Sequence, residues 1–210
     1  MEYRIFGNPE ARITLIQPAD RAEEQSMEKE AGLIRAQTGA DFRLIALPVS
    51  DWNRELSPWK APAVFGREDF GDGAAETLER ALALCGEPDR VCYLGGYSLA
   101  GLFALWAAGR TGRFRGIAAV SPSVWFPGFT EDLSAREIRA ERVYLSLGDR
   151  EEKTRNPVMA RVGEKIRETH RLLEEKGVPV RLEWNEGNHF QDPEGRTAKG
   201  FAWLLNQQKD

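Results

Sequence analysis

Residues that commonly bind metals or form disulfides are scarce in this sequence. Among 210 residues there are two cysteines and two histidines. Cys85 ends a predicted helix and Cys92 lies inside a predicted strand, so we interpret both as buried, reduced thiols rather than as a disulfide or a metal site. We therefore expect no metal and no other cofactor, and a reducing cytoplasmic compartment fits best.

The sequence also lacks the usual marks of membrane and nucleic-acid-binding proteins. No charged segment followed by an apolar segment opens the chain, and no apolar run approaches the ~20 residues of a membrane span. The basic residues are scattered, and the net charge is -4, which gives no basic surface for a polyanion. No internal repeat is visible. We expect a small-molecule partner rather than nucleic acid or a membrane, and the sequence indicates no particular oligomeric state.

What the sequence does contain is an alternation of apolar strands and amphipathic helices. With 41% hydrophobic and 30% charged residues, the chain can enclose one core, so we expect a single domain over residues 1–210. The alternation predicts an α/β fold with a mostly parallel, doubly wound sheet and helices on both faces. Apolar runs at residues 3–6 and 13–17, on either side of a Gly-Asn-Pro turn, predict an N-terminal antiparallel hairpin strand.

Several helix ends are also readable from the sequence. Asp20 and Glu23 have the spacing of a capping box, and Gly39 is expected to end the helix that they begin. Asp72 is predicted to cap a later helix. Asn156, with a proline after it, is predicted to begin another helix.

The stretch at residues 91–106, VCYLGGYSLAGLFALW, is the element around which the rest is organised. An apolar strand that reverses into an apolar helix within a few residues forces Ser98 into a strained backbone conformation, which requires small neighbours such as Gly96 and Ala100. The turn would lift the Ser98 hydroxyl above the sheet edge and aim the first helical N–H, that of Leu99, at an oxyanion formed there. The pattern predicts a nucleophile elbow; the alternative is a purely structural turn.

The phrase GGYSLAG resembles the G-x-S-x-G elbow of the α/β-hydrolase fold, with Ala100 in place of the second glycine. Together with SPSVW at residues 121–125, it is most similar to the serine esterases related to enterochelin esterase and esterase D. This resemblance implies the α/β-hydrolase fold, a short lid-like insertion around residues 124–141, and Ser98 as the nucleophile of a cofactor-free ester hydrolysis.

A serine nucleophile needs a base within hydrogen-bond reach, and the chain offers two histidines. His170 lies in a predicted helix, on the flank of its buried face, and is expected to be structural or solvent-exposed. His189 follows the last predicted strand at its carboxyl end, where the fold places its base, and the order serine, acid, histidine agrees with the family. We predict that His189 is the base; the alternative is a solvated loop histidine.

The acid that orients the histidine should follow the strand predicted at residues 143–147. Asp149, Glu151 and Glu152 compete for this role. The spacing from Gly148 to Glu151 resembles the family pattern, so we predict Glu151, with Asp149 as the runner-up. A Ser-His dyad assisted by water stays open as an alternative.

The second oxyanion donor should come from the loop after the strand at residues 13–17. The His-Gly phrase frequent in the family is missing there, and Pro18 has no N–H to donate. Together with Leu99, we therefore predict Ala19 as the donor, with Asp20 as the alternative.

Aromatic residues recur in the segments expected at the carboxyl ends of the strands. We predict that Trp52, Tyr97 and Trp125 contact the substrate; the alternative is that such rings pack inward and anchor the loops. The long connection at residues 50–73 and the segments after it supply further candidates: Trp59, Phe65, Phe70, Phe126 and Phe190. Because only the short segment at residues 124–141 can serve as a lid, we expect short-chain or aryl esters.

These features together predict a serine hydrolase that cleaves carboxylic esters through an acyl-enzyme on Ser98. Acyl transfer to an acceptor other than water would use the same residues and stays open. A hydrolase-like binding protein without turnover is a further alternative, against which the presence of both Ser98 and His189 argues.

Overall fold

A seven-stranded sheet organises the described part of the chain, in the order β1-β3-β2-β4-β5-β6-β7. This computed structural model describes residues 3–64 and 66–207, so Phe65 lies outside the described residues. Its strands are β1 Arg4–Gly7, β2 Ile13–Ala19, β3 Phe42–Pro48, β4 Val91–Tyr97, β5 Phe114–Val120, β6 Arg142–Gly148 and β7 Val180–Asn185. All pairings are parallel except that of β1, which is antiparallel. The predicted mostly parallel α/β sheet is confirmed.

Helices cover both faces of this sheet. They are α1 Arg21–Thr38, α2 Trp52–Glu55, α3 Ala74–Leu84, α4 Leu99–Ala108, α5 Phe129–Ala135, α6 Val162–Glu175 and α7 Pro193–Asn206. Side chains of α1 and α7, such as Met27 and Phe201, share one apolar cluster with Leu15 of β2. Side chains of α3, α4, α5 and α6 belong to a second cluster with other strand residues. This arrangement leaves the carboxyl ends of the parallel strands uncovered.

The N-terminal strand is antiparallel as predicted, but its partner differs from the one expected. β1 pairs with β3, with Ile5 opposite Ile45, and β3 in turn separates β1 from β2. The turn after β1 is held against β3, because the Asn8 N–H donates to the Phe42 carbonyl and the Asn8 amide donates to the Asp41 carboxylate. The expected direct pairing of residues 3–6 with residues 13–17 is therefore wrong.

Three helix ends test the boundaries predicted from the sequence. The capping box of Asp20 and Glu23 is present, and Gly39 ends α1 in the left-handed conformation. Asp72 does not cap α3, which begins after Gly73 without a side-chain cap; the Gly73 N–H instead donates to the Arg54 carbonyl. The Asn156 side chain accepts from the N–H groups of Val158 and Met159, but one 3₁₀ turn intervenes and α6 begins only at Val162.

The long connection at residues 50–73 is fastened to the segment at residues 124–141 by aromatic contacts. Trp59 donates from its indole N–H to the Pro127 carbonyl and meets the Phe126 ring edge-on. Phe70 also packs against Phe126, with ring centroids 5.1 Å apart. For Trp59, Phe70 and Phe126 the anchoring alternative therefore holds.

None of the helices in the described residues has the length and apolar character required to cross a lipid bilayer.

Candidate active site

Ser98 lies at a sharp turn between β4 and α4. Its φ of 57° and ψ of -119° are strained for a residue with a side chain. The turn is possible because its neighbours are small: a Cβ on Gly96 would stand 2.5 Å from the Ala100 Cβ, and one on Gly101 would stand 3.0 Å from the Gly96 carbonyl oxygen. Only glycine at position 96 leaves room for the start of the helix. The hydroxyl of Ser98 is thereby carried to the carboxyl edge of the sheet.

His189 reaches this hydroxyl from the loop after β7. Its Nε2 lies 3.0 Å from the Ser98 Oγ. The loop turns at Gly187, whose φ of 102° is open to glycine and strained for other residues. The Tyr97 hydroxyl donates to the His189 carbonyl at 2.8 Å and so holds the loop against β4. Tyr97, predicted as a substrate contact, is mostly buried, and its hydroxyl is engaged in this hydrogen bond to His189.

Glu151 completes a continuous hydrogen-bonded chain with Ser98 and His189. Its Oε2 lies 2.7 Å from the His189 Nδ1. Its Oε1 accepts hydrogen bonds from the Ser121 hydroxyl and the Gly148 N–H, each at 2.7 Å. Burial raises the pKa of Glu151, but the hydrogen bonds and the charge of His189 outweigh it, so the pKa of this carboxyl lies below its ordinary value. The carboxylate is therefore ionised at neutral pH.

The competing side chains are directed elsewhere. Asp149 accepts from the Gly187 N–H at 2.8 Å, and Glu152 lies 3.3 Å from Arg167. His170 is on α6, where its Nδ1 lies 3.2 Å from Glu174. Of the candidates named from the sequence, the structure thus brings together Ser98, His189 and Glu151.

Arg196 also contacts the hydrogen-bonded series of Ser98, His189 and Glu151, and it was not predicted from the sequence. Its side chain is 3% exposed and donates to the Glu151 Oε1 at 3.1 Å, the Tyr97 hydroxyl at 3.0 Å and the Glu186 carbonyl at 2.7 Å. The available signal was an arginine among the small and apolar residues that form the buried face of α7. Ser121, the first residue of the SPSVW phrase, was also given no role in the site from the sequence. In the structure it has a φ of 42°, and its hydroxyl donates to the Glu151 carboxylate.

The predicted oxyanion donors lie at two helix starts. The Leu99 N–H is the first of α4, at the positive end of the helix dipole. Asp20 lines a recess shared with Ser98, but its N–H lies 3.4 Å from the Glu23 carboxylate within the capping box. Ala19 is buried and lines a neighbouring surface cavity with Asp20. The choice between Ala19 and Asp20 stays a prediction.

Two recesses meet at Ser98. The first, of about 640 Å³, includes Trp52, Trp125 and Met159 together with Arg150 and Lys153. The second, of about 450 Å³, includes Tyr97 and three acidic residues: Asp20, Glu23 and Glu194. Both recesses are lined by Trp52, Ser98, His189 and Phe190.

Phe190 stands at the rim between the two recesses. It is 84% exposed, and its ring meets that of His189 edge-on with centroids 5.5 Å apart. An apolar ring this exposed beside a strained serine offers a surface that a bound molecule can cover.

No protein-family model matches this chain, and no curated protein sequence matches it. Solved structures do. An IroE-like serine hydrolase from Shewanella oneidensis superposes with a TM-score of 0.75 at 17% identity, over 97% of this chain and 75% of that one. The chain adopts the α/β-hydrolase fold. The identity is too low to carry more than the fold.

Two further solved structures share this fold. The siderophore hydrolase EstA from Aspergillus nidulans gives a TM-score of 0.67 at 18% identity, over 94% of this chain and 83% of that one. The enterobactin esterase from Shigella flexneri gives 0.66 at 18% identity, over 98% of this chain but 55% of that one. The present chain therefore spans about half the length of that esterase.

Proposed function

We propose that this α/β-hydrolase-fold protein is a serine hydrolase of carboxylic esters, with Ser98, His189 and Glu151 as its catalytic triad and Ser98 on a nucleophile elbow. The observation that carries the proposal is the unbroken hydrogen-bonded chain from the strained Ser98 through His189 to an ionised, buried Glu151. A serine so placed has both a base and an orienting acid within reach, which is the arrangement that acyl transfer requires.

In the proposed reaction, the Ser98 Oγ attacks the ester carbonyl while the His189 Nε2 takes its proton. Glu151 holds the imidazole through Nδ1 and stabilises the imidazolium that forms. The Leu99 N–H and a donor from Ala19 or Asp20 stabilise the oxyanion of the tetrahedral intermediate. His189 then protonates the leaving alcohol, and a water molecule, activated by the same histidine, releases the acid from Ser98.

The names of the structural neighbours support the same class of reaction. They include a siderophore hydrolase, an enterobactin esterase and a serine hydrolase, so a small-molecule ester is the proposed substrate. The two cysteines are free and buried, which supports a reducing, cytoplasmic compartment.

The decisive experiment combines covalent labelling with turnover. A fluorophosphonate probe should label the parent protein, and Ser98→Ala should abolish both the labelling and the hydrolysis of phenyl acetate. Labelling without hydrolysis of any aryl or alkyl ester, in water or with an added alcohol acceptor, would favour the binding protein without turnover. Turnover that needs the alcohol would identify an acyltransferase. Equal phenyl acetate hydrolysis by the Ser98→Ala variant would overturn the assignment of the nucleophile.

A further inference from the structure

The larger recess beside Ser98 combines an apolar wall with two cations. Trp52, Trp125 and Met159 supply apolar surface, while Arg150 and Lys153 line the same space. Both cations are exposed and belong to the turn that carries Glu151. In the sequence, one cation precedes and one follows Glu151, the residue that orients His189.

Neither cation has an anionic partner among the residues that the structure describes. The carboxylates next to them in sequence are directed elsewhere: Glu151 lies against His189, Glu152 against Arg167, and Asp149 against the Gly187 N–H. Arg150 and Lys153 are thus exposed cations that line the recess without an anionic partner among the described residues.

The second recess has a different lining, with acidic side chains and neither lysine nor arginine. Its acidic lining comes from Asp20, Glu23 and Glu194, of which Glu194 also pairs with Lys29 at the surface. An ester bound across Ser98 would have one half beside two cations and the other half beside carboxyl groups. A negatively charged group would therefore be better placed in the recess that Arg150 and Lys153 line.

We infer that Arg150 and Lys153 are specificity-determining residues, and that the preferred substrates are esters carrying a carboxylate or similar anion on a flat apolar group that lies against Trp125. The inference rests on the proposed function and names its substrate class. Because both cations are exposed and screened by salt, each should contribute a few-fold rather than a thousand-fold to kcat/KM.

Matched aryl esters separate the charge from the shape. Monophenyl terephthalate carries its anion on the acyl half, and phenyl 4-carbamoylbenzoate is its neutral counterpart. The pair 4-acetoxybenzoate and 4-acetoxybenzamide places the same difference on the leaving group. In each pair the para position keeps the anion away from the ester, so it cannot assist hydrolysis itself. The measured quantity is the ratio of kcat/KM for the anionic ester to that for the neutral one.

For at least one of these pairs, we expect the double variant Arg150→Gln/Lys153→Gln to lower the ratio about tenfold, mainly by raising KM for the anionic ester. We also expect 0.5 M salt to lower the ratio of the parent protein. Arg155→Gln is the matched control, because Arg155 is an exposed cation two residues beyond Lys153 that does not line the recess. It should leave the ratio unchanged.

The outcome identifies which half carries the anion. Ratios that the double variant leaves unchanged in both pairs, or that the control lowers equally, would overturn the inference. Failure of the proposed function is separate, since it would appear as loss of neutral-ester turnover and of fluorophosphonate labelling in the parent protein.

Discussion

At the scale of single residues, the two histidines should differ sharply in effect. Replacing His189 with alanine removes the base that lies 3.0 Å from the Ser98 Oγ, and kcat should fall by roughly 10³- to 10⁶-fold. His170→Ala is the matched control and should change kcat little, because that side chain pairs with Glu174 on α6. Steady-state hydrolysis of phenyl acetate measures both. A larger loss in His170→Ala would transfer the role of base to that residue.

The three neighbouring acids provide a second comparison. Glu151→Gln keeps the shape of the side chain but cannot stabilise an imidazolium, so it should lower kcat more than Asp149→Asn or Glu152→Gln. Of these three acids, only Glu151 hydrogen-bonds to the His189 ring. The three variants can be assayed side by side with the same ester. Small and equal losses in all three would point to a dyad.

At the scale of elements, α7 is tied to the acid through Arg196. Arg196→Met would leave the Glu151 Oε1, the Tyr97 hydroxyl and the Glu186 carbonyl without this buried donor. We expect a loss of about 3 kcal/mol in the free energy of unfolding, since the buried Glu151 carboxylate loses its arginine partner, together with a lower kcat. Thermal unfolding and kinetics test this. Lys199→Met, on the exposed side of the same helix, should be nearly neutral in both.

The segment at residues 124–141 determines how deep the acyl site can be. It contributes α5, whose Phe129 and Leu133 are buried against the core, and Trp125, which lines the recess at Ser98. Little chain is left to enclose a long acyl group. The value of kcat/KM should fall once the acyl chain exceeds a few carbons, and Trp125→Ala should raise KM or flatten that decline. A rate that climbs steadily toward long chains, with Trp125→Ala silent, would contradict this.

The features that could be predicted from the sequence are those whose residues are close together along the chain. The Ser98 turn and the capping box of Asp20 are local, so their residue patterns were sufficient. The partner of β1 could not be predicted, because β3 enters between β1 and β2 only through a crossover of the chain. Arg196 was missed for the same reason: its partners lie 45 and 99 residues away. The cationic lining of one recess and the acidic lining of the other likewise come together only after folding.

At the scale of the whole molecule, stability should depend on a carboxyl that is not part of the proposed triad. Glu30 of α1 is fully buried, and its neighbour Gln17 donates to it at 3.3 Å. Burial raises the pKa of Glu30 from 4.5 to about 8, with smaller contributions from the charges of Glu23 and Glu194. Folding therefore favours the protonated form. The stability present below the unfolded pKa of 4.5 is lost as the pH rises to about 8.

Glu30→Gln removes this pH dependence, because an amide has no proton to lose and can hydrogen-bond to Gln17. At pH 8 the variant should unfold with a free energy higher than that of the parent by on the order of 3 kcal/mol, and near pH 4.5 the two should be similar. Urea unfolding at several pH values measures the difference. Glu28→Gln, an exposed position of the same helix, is the control. A difference that did not vary with pH would contradict this account.

The bond from Arg196 to Glu151 has a consequence for the order in which the protein is made. During synthesis, Ser98 is added long before His189, and Arg196 is added later still. A chain that stops before α7 therefore has the turn that carries the nucleophile but lacks the helix whose Arg196 contacts Glu151. Chains that stop before α7 should therefore be hydrolytically silent. Activity would appear only after α7 has been made and has packed against the sheet.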